Sequence, residues 1–151
     1  MVCGSRDWGT NGLVTNPYDY SNGPQIDIES LECQVIWTML SGLSSKLDKL
    51  TVIEGAAPGA DSAAWSWVEY YNKIEDIHGY DTRADHLHYP ADWKGNGKAA
   101  GYIRNKKMLE EGKPDLVLAY TYDLSKSKGT AMMVDIAHKA GVDVMITERK
   151  L

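Results

Sequence analysis

The sequence predicts an α/β protein: a Rossmann-like three-layer sandwich around a mostly parallel five-stranded sheet. Three observations predict it. Short apolar runs alternate along the chain with segments of helical period. Three of the strand-like runs or their connections end in a glycine-containing turn placed before a helix: Gly4-Ser5-Arg6, Gly55 to Asp61, and Gly129-Thr130. Finally, Leu116-Val117-Leu118-Ala119-Tyr120 is an unbroken apolar run, the pattern of a parallel strand covered on both faces.

Each element follows from local pattern. Residues 2–3 read as the end of the first strand. Residues 7–27 form a long Gly/Asn/Pro/Tyr-rich insertion, larger than a normal βα connection, and its Trp8, Tyr18 and Tyr20 suggest a lid or an oligomer contact. A helix over about 28–47 carries Ile36, Leu40, Leu43 and Leu47 as an apolar stripe. Residues 50–54 are the second strand, and Asp61 is suited to cap a helix over about 62–75. Residues 86–89 are the third strand, ended by Pro90, and 92–101 read as loop. A helix over 102–111 stops at Gly112 and Pro114. Strand four follows, then a helix over 130–140 and a last strand over 142–146.

The bulk properties narrow the function classes. A chain of 151 residues, 43% apolar, with 14 glycines and 5 prolines, fits one domain with a full core spanning 1–151. The net charge of −5, from 16 basic and 21 acidic side chains, argues against a broad nucleic-acid-binding face. Cys3 and Cys33 form no CxxC pair, which suits a reducing, cytoplasmic setting. No apolar run is long enough for a membrane span, and no signal-peptide pattern opens the chain.

The turns carry the candidate chemistry. In an α/β sheet, backbone amides and helix N-termini converge at the carboxyl ends of the strands and bind phosphate. Gly4 permits a tight turn, Ser5 offers a hydroxyl and Arg6 a bidentate grip; the plainer reading is a βα turn with a surface arginine. Gly55 and Gly59 flank a slim turn, and Asp61 either binds a ribose hydroxyl or only caps its helix. Gly129-Thr130, with Lys126 and Lys128, is a third candidate cradle, although neither GxGxxG nor a Walker loop is present. Arg104 and Asn105 suit anion and base contacts, or a solvated helix face. Trp93 suits base stacking, or a core anchor. Glu54 and Asp61 are the candidate catalytic carboxylates. A bound metal is not expected: His86 and His88 share a strand face, but no third ligand accompanies them in sequence.

Together the strings at residues 2–8, 54–61, 90–109 and 128–134 resemble the YspA-type, YpsA-related branch of the SLOG superfamily, long described as a domain of unknown function and found in bacteria and phages. The resemblance covers nearly the whole chain in order. It implies a Rossmann-like fold, a homodimer or higher homo-oligomer, and binding of a nucleotide or nucleotide-derived molecule by Gly4, Ser5, Arg6, Gly55, Gly59, Asp61, Arg104, Asn105, Gly129 and Thr130. It implies no further cofactor. Relatives in the superfamily cleave a base from ribose phosphate with a glutamate three residues after the threonine. Here that position is Met133, and Glu54 stands where the family has histidine. The expectation is therefore a binding pocket for a nucleotide-like molecule, with an N-glycoside hydrolase and a non-enzymatic interaction protein as the alternatives.

Overall fold

The computed structural model describes residues 1–10, 27–79 and 83–149. Its elements, in chain order, are β1 (Val2–Gly4), α1 (Leu31–Ser44), β2 (Thr51–Glu54), α2 (Ala60–His78) and β3 (Asp85–His88). Then come α3 (Trp93–Asn96), a 3-10 turn (Gly97–Ala99), α4 (Ala100–Gly112), β4 (Leu116–Thr121), α5 (Lys128–Lys139) and β5 (Asp143–Glu148). The strand–helix alternation is as the sequence predicts, and every described strand pairing is parallel.

The continuous five-stranded sheet is not formed. The strands make a β1-β4-β5 sheet and a separate β2-β3 ribbon. The ladder of β1 to β4 is anchored by the Leu118 amide on the Met1 carbonyl and the Ser5 amide on the Tyr120 carbonyl. By alternation Val2 and Gly4 face β2, but no hydrogen-bonded ladder joins those two strands. The ribbon lies against β1 all the same, so the spatial sequence is β3-β2, then β1-β4-β5. The chain reverses its direction of winding between β1 and β4, the switch point of a doubly wound arrangement.

Helices cover both faces. On one, Cys33, Ile36 and Leu40 of α1 and Ala63, Ala64, Trp67 and Val68 of α2 pack on Val2, Val52, Leu118 and Tyr120. On the other, Met108 of α4 and Met133, Val134 and Ala137 of α5 pack on Cys3, Ile53, Val117 and Ala119. Neighbouring residues of β1, β2 and β4 thus point to opposite cores, as a pleated strand requires. α1 is shorter than its stripe suggests. Ser30 caps it by accepting the Cys33 amide at 3.1 Å, and a turn at Ser45 leaves Leu47 outside, half exposed. Residues 92–101, read as loop, contain α3 and the 3-10 turn.

Most of the 7–27 insertion, with Tyr18 and Tyr20, lies outside the described residues. Trp8 does not: it is 1% exposed and packs on Tyr120 and Tyr122 at ring separations of 5.7 and 5.0 Å. It is a core residue rather than part of a lid.

Gly4 is fixed by crowding. A Cβ there would stand 2.3 Å from the Tyr120 carbonyl oxygen and 2.5 Å from the Ala60 Cβ, so β1 and α2 touch only because the side chain is missing. Gly42, in α1, faces open space. Gly4→Ala should therefore cost about 1–3 kcal/mol by overpacking. Gly42→Ala should gain up to about 1 kcal/mol from helix propensity. Urea unfolding midpoints of the two variants, moving in opposite directions, check both.

Candidate functional site

At the carboxyl ends of β1 and β4, between α4 and α5, lies a cavity of about 1120 Å³. Gly4, Ser5, Arg6, Asp61, Arg104, Asn105, Gly129 and Thr130 all line it, so residues far apart in sequence meet as the turns suggest. Gly55 and Gly59 are behind the wall rather than in it. Gly59 precedes α2 with φ +79°, and its α-carbon abuts the Ser5 and Arg6 backbone. Gly55 lies under the Arg104 guanidinium, where a Cβ would overlap the Nη1 atom.

Asp61 does not act as the helix cap. Gly59 holds that position, and the Asp61 carboxylate turns back to accept the Gly55 and Ala57 amides, each at 3.2 Å. Arg104 donates to the same carboxylate oxygen at 3.3 Å and to the Gly55 carbonyl. Arg104 is thus a clamp on the turn more than a free anion-binding arm. Burial pushes the Asp61 carboxyl up to about 6, against the lowering effect of Arg104. Asn105 donates to the Gly129 carbonyl at 3.3 Å and so ties α4 to the first turn of α5.

A chain of hydroxyls crosses the cavity floor. Thr121 and Ser5 share a hydrogen bond of 2.7 Å, Ser5 donates to Ser127 at 3.1 Å, and Ser127 and Thr130 share one of 2.7 Å. Since Ser5 spends its proton on Ser127, Thr121 is the donor to Ser5. One hydroxyl proton of the Ser127–Thr130 pair is then left over for an acceptor beyond these four hydroxyls. In the sequence Ser127 stands in the turn before α5 with no role of its own, and Thr121, at the end of the clearest strand and behind the lining residues, carries no signal. Cations gather above this floor. Arg6 stacks on Trp93 with its guanidinium 5.2 Å from the ring centre, so the indole meets an arginine in this structure. Lys98, Lys126 and Lys128 also line the cavity, as do Asp7, Asp123 and Glu148, and Lys126 pairs with Asp123 at 3.0 Å.

Glu54 is not among the cavity's lining residues. It is fully buried behind the turn. His86 Nε2 lies 2.9 Å from its Oε1, His88 Nδ1 hydrogen-bonds the same oxygen, and Oε2 accepts the Ala56 amide at 2.6 Å. Burial works to raise the Glu54 pKa, but the two histidines and the amide outweigh it and hold the carboxyl below its usual range. The hydrogen bond to Glu54 in turn raises the His88 imidazole. Both cysteines are buried, and burial raises Cys3 to about 12 and Cys33 to about 11, far from the range of a reactive thiolate.

Set against known proteins, the chain is 36% identical over 101 residues to the Gene 61 protein of Mycobacterium phage D29, an alignment covering 64% of this chain and 70% of the phage protein. The chain belongs to the family of that phage protein. No family model and no solved structure matches it. Among the described residues, no helix of this family member is long and apolar enough to cross a membrane.

The Asp61 shift has a pH consequence. Its folded pKa of about 6 exceeds the ordinary 3.8, so between these values the native state binds more protons than the unfolded chain. This contribution to stability therefore falls as pH rises from about 4 to about 6, by an amount on the order of 2–3 kcal/mol. Asp61→Asn removes the titration while keeping an acceptor. Urea titrations at several pH values should find the variant gaining on the wild type across that window. A difference independent of pH would contradict the assignment.

Proposed function

We propose that this protein binds a phosphorylated small molecule of the nucleotide class in the cavity between α4 and α5. The observation that carries the reading is the first turn of α5 opening into the cavity with Lys126 and Lys128 beside it. The amides of Gly129 and Thr130 belong to the first helical turn and have no acceptors within the helix. They point their partial positive charge at the cavity, the usual arrangement for an anion. The left-over proton of the Ser127–Thr130 pair adds a donor at the same spot. Arg6 and Lys98 add positive charge across the opening.

Location and size agree with this. The cavity sits at the β1/β4 switch point, where open α/β sheets bind ligands. Its volume, about 1120 Å³, exceeds the few hundred that a drug-sized molecule needs and leaves room for a sugar and base beside the phosphate. The resemblance of the chain's ordered motifs to the SLOG superfamily supports the same ligand class. Binding without turnover is favoured because Glu54 is held behind the turn, and Asp61 is engaged by two amides and Arg104.

The test is native mass spectrometry of gently purified protein, then calorimetric titration with nucleoside mono- and diphosphates. A bound nucleotide-like mass, or saturable binding at micromolar concentrations, is the expected result. Arg6→Ala should weaken that binding about tenfold or more, the worth of a charge-assisted contact. Unchanged affinity would remove Arg6 from the site. An empty protein that binds none of the panel would overturn the reading, and free base released from a nucleoside monophosphate would replace binding with hydrolysis.

A further inference from the structure

We propose that Glu54, His86 and His88 form a binding site for one divalent transition-metal ion of the zinc class, behind the turn and separate from the cavity. Their donor atoms, one from each residue, lie within 4.8 Å of one another, and this is the one such cluster among the described residues. The fold brings them together by register. β2 and β3 pair in parallel with Glu54 opposite His88 and Val52 opposite His86. Residues two apart on a strand share a face, so both imidazoles stand over the carboxylate.

The donor set selects the metal. Two imidazole nitrogens and one carboxylate oxygen suit zinc and its first-row neighbours, whereas magnesium and calcium prefer oxygen alone. Three protein ligands leave a fourth position for water. Glu54 is prepared for this role by its second oxygen, which accepts the Ala56 amide and so fixes the carboxylate with Oε1 toward the histidines. The carboxylate is fully buried, and the imidazoles are 21% and 32% exposed, so an ion can enter from the histidine side. Bonds of about 2.0–2.1 Å in a tetrahedral site separate neighbouring donors by about 3.3 Å. The 2.9 Å spacing of His86 Nε2 and Glu54 Oε1 must open by a few tenths of an ångström and the closer His88 Nδ1 contact by more, so both partly exposed imidazoles swing outward when an ion enters. Each ligating nitrogen gives up the proton it holds toward Glu54, to its other ring nitrogen or to solvent.

Trp65 supplies a reporter. Its ring lies 4.9 Å from that of His88 and 6.4 Å from that of His86. An ion held there changes the environment of the indole.

The experiment uses tag-free, chelator-treated protein titrated with zinc chloride by calorimetry, and with cobalt(II) by visible absorption and tryptophan fluorescence. One zinc per chain, a cobalt spectrum of low-symmetry four- or five-coordinate type, and a fluorescence change at the same stoichiometry are expected. The double variant His86→Gln/His88→Gln, its fold checked by circular dichroism, keeps His78 and His138 and should bind zinc at least about tenfold more weakly. The single variant His88→Gln, at the more exposed ligand, should weaken binding as well. Magnesium chloride should give no saturable signal. Absence of saturable zinc uptake by the wild type, or equal affinity in the histidine variants, overturns the proposal and leaves a hydrogen-bonded His–Glu–His cluster.

Discussion

The buried Asp61 carboxylate holds the structure's polar end together. It gathers the Gly55 and Ala57 amides and the Arg104 guanidinium around one oxygen, and so joins the exit of β2, the start of α2 and the middle of α4. Everything at the cavity is set by that junction. Gly59, at the end of the same turn, lets the Ser5-Arg6 backbone pass at a separation no side chain would permit. Gly4 does the same for β1 against Ala60. These glycines were read from sequence as room for a ligand. In the structure three of them, Gly4, Gly55 and Gly59, make room for the protein itself, and of the three only Gly4 also lines the cavity.

A buried carboxylate and a nearly buried guanidinium are a costly pair. Removing them from water is repaid only when hydrogen bonds satisfy their remaining lone pairs and protons. The pair meets that condition only in part: one Asp61 oxygen accepts two amides, the buried Arg104 Nε has no hydrogen-bond partner among the described residues, and the Asp61 pKa is raised because burial outweighs the arginine. A hydrophobic replacement would fill the volume but leave the Gly55 and Ala57 amides without acceptors. The ion pair thus acts as a scaffold for a turn of unusual shape, in which Ala56 takes φ +57°, a left-handed conformation disfavoured for a residue with a side chain.

The α/β rhythm was legible because helical and strand periodicities are local. Ile36, Leu40 and the Leu116–Tyr120 run occupy the core positions their spacing indicates. What escaped depends on pairing. Nothing in the local string says that Glu54 stands opposite His88, since that follows from the register of β2 on β3. The missing third partner of the two histidines was therefore the residue named as a catalytic acid. Trp8 belongs to a segment whose composition reads as loop, and its burial is a consequence of Tyr120 and Tyr122 meeting it from β4 and the residue after it. The break between β1 and β2 is likewise invisible in the local string, because it is a matter of how two strands meet and not of either one's pattern.

The turn also links the two polar centres. Along its start the amides are claimed alternately: Gly55 by Asp61, Ala56 by Glu54, Ala57 by Asp61 again. Asp61 belongs to the cavity wall, and Glu54 belongs to the histidine cluster. The two carboxylates therefore fix successive peptide units of one turn, each through amides of its own. The Arg104 bond to the Gly55 carbonyl ties the same turn to α4, and Asn105, one residue on, ties α4 to the first turn of α5, so one run of hydrogen bonds joins the polar ends of β2, α4 and α5.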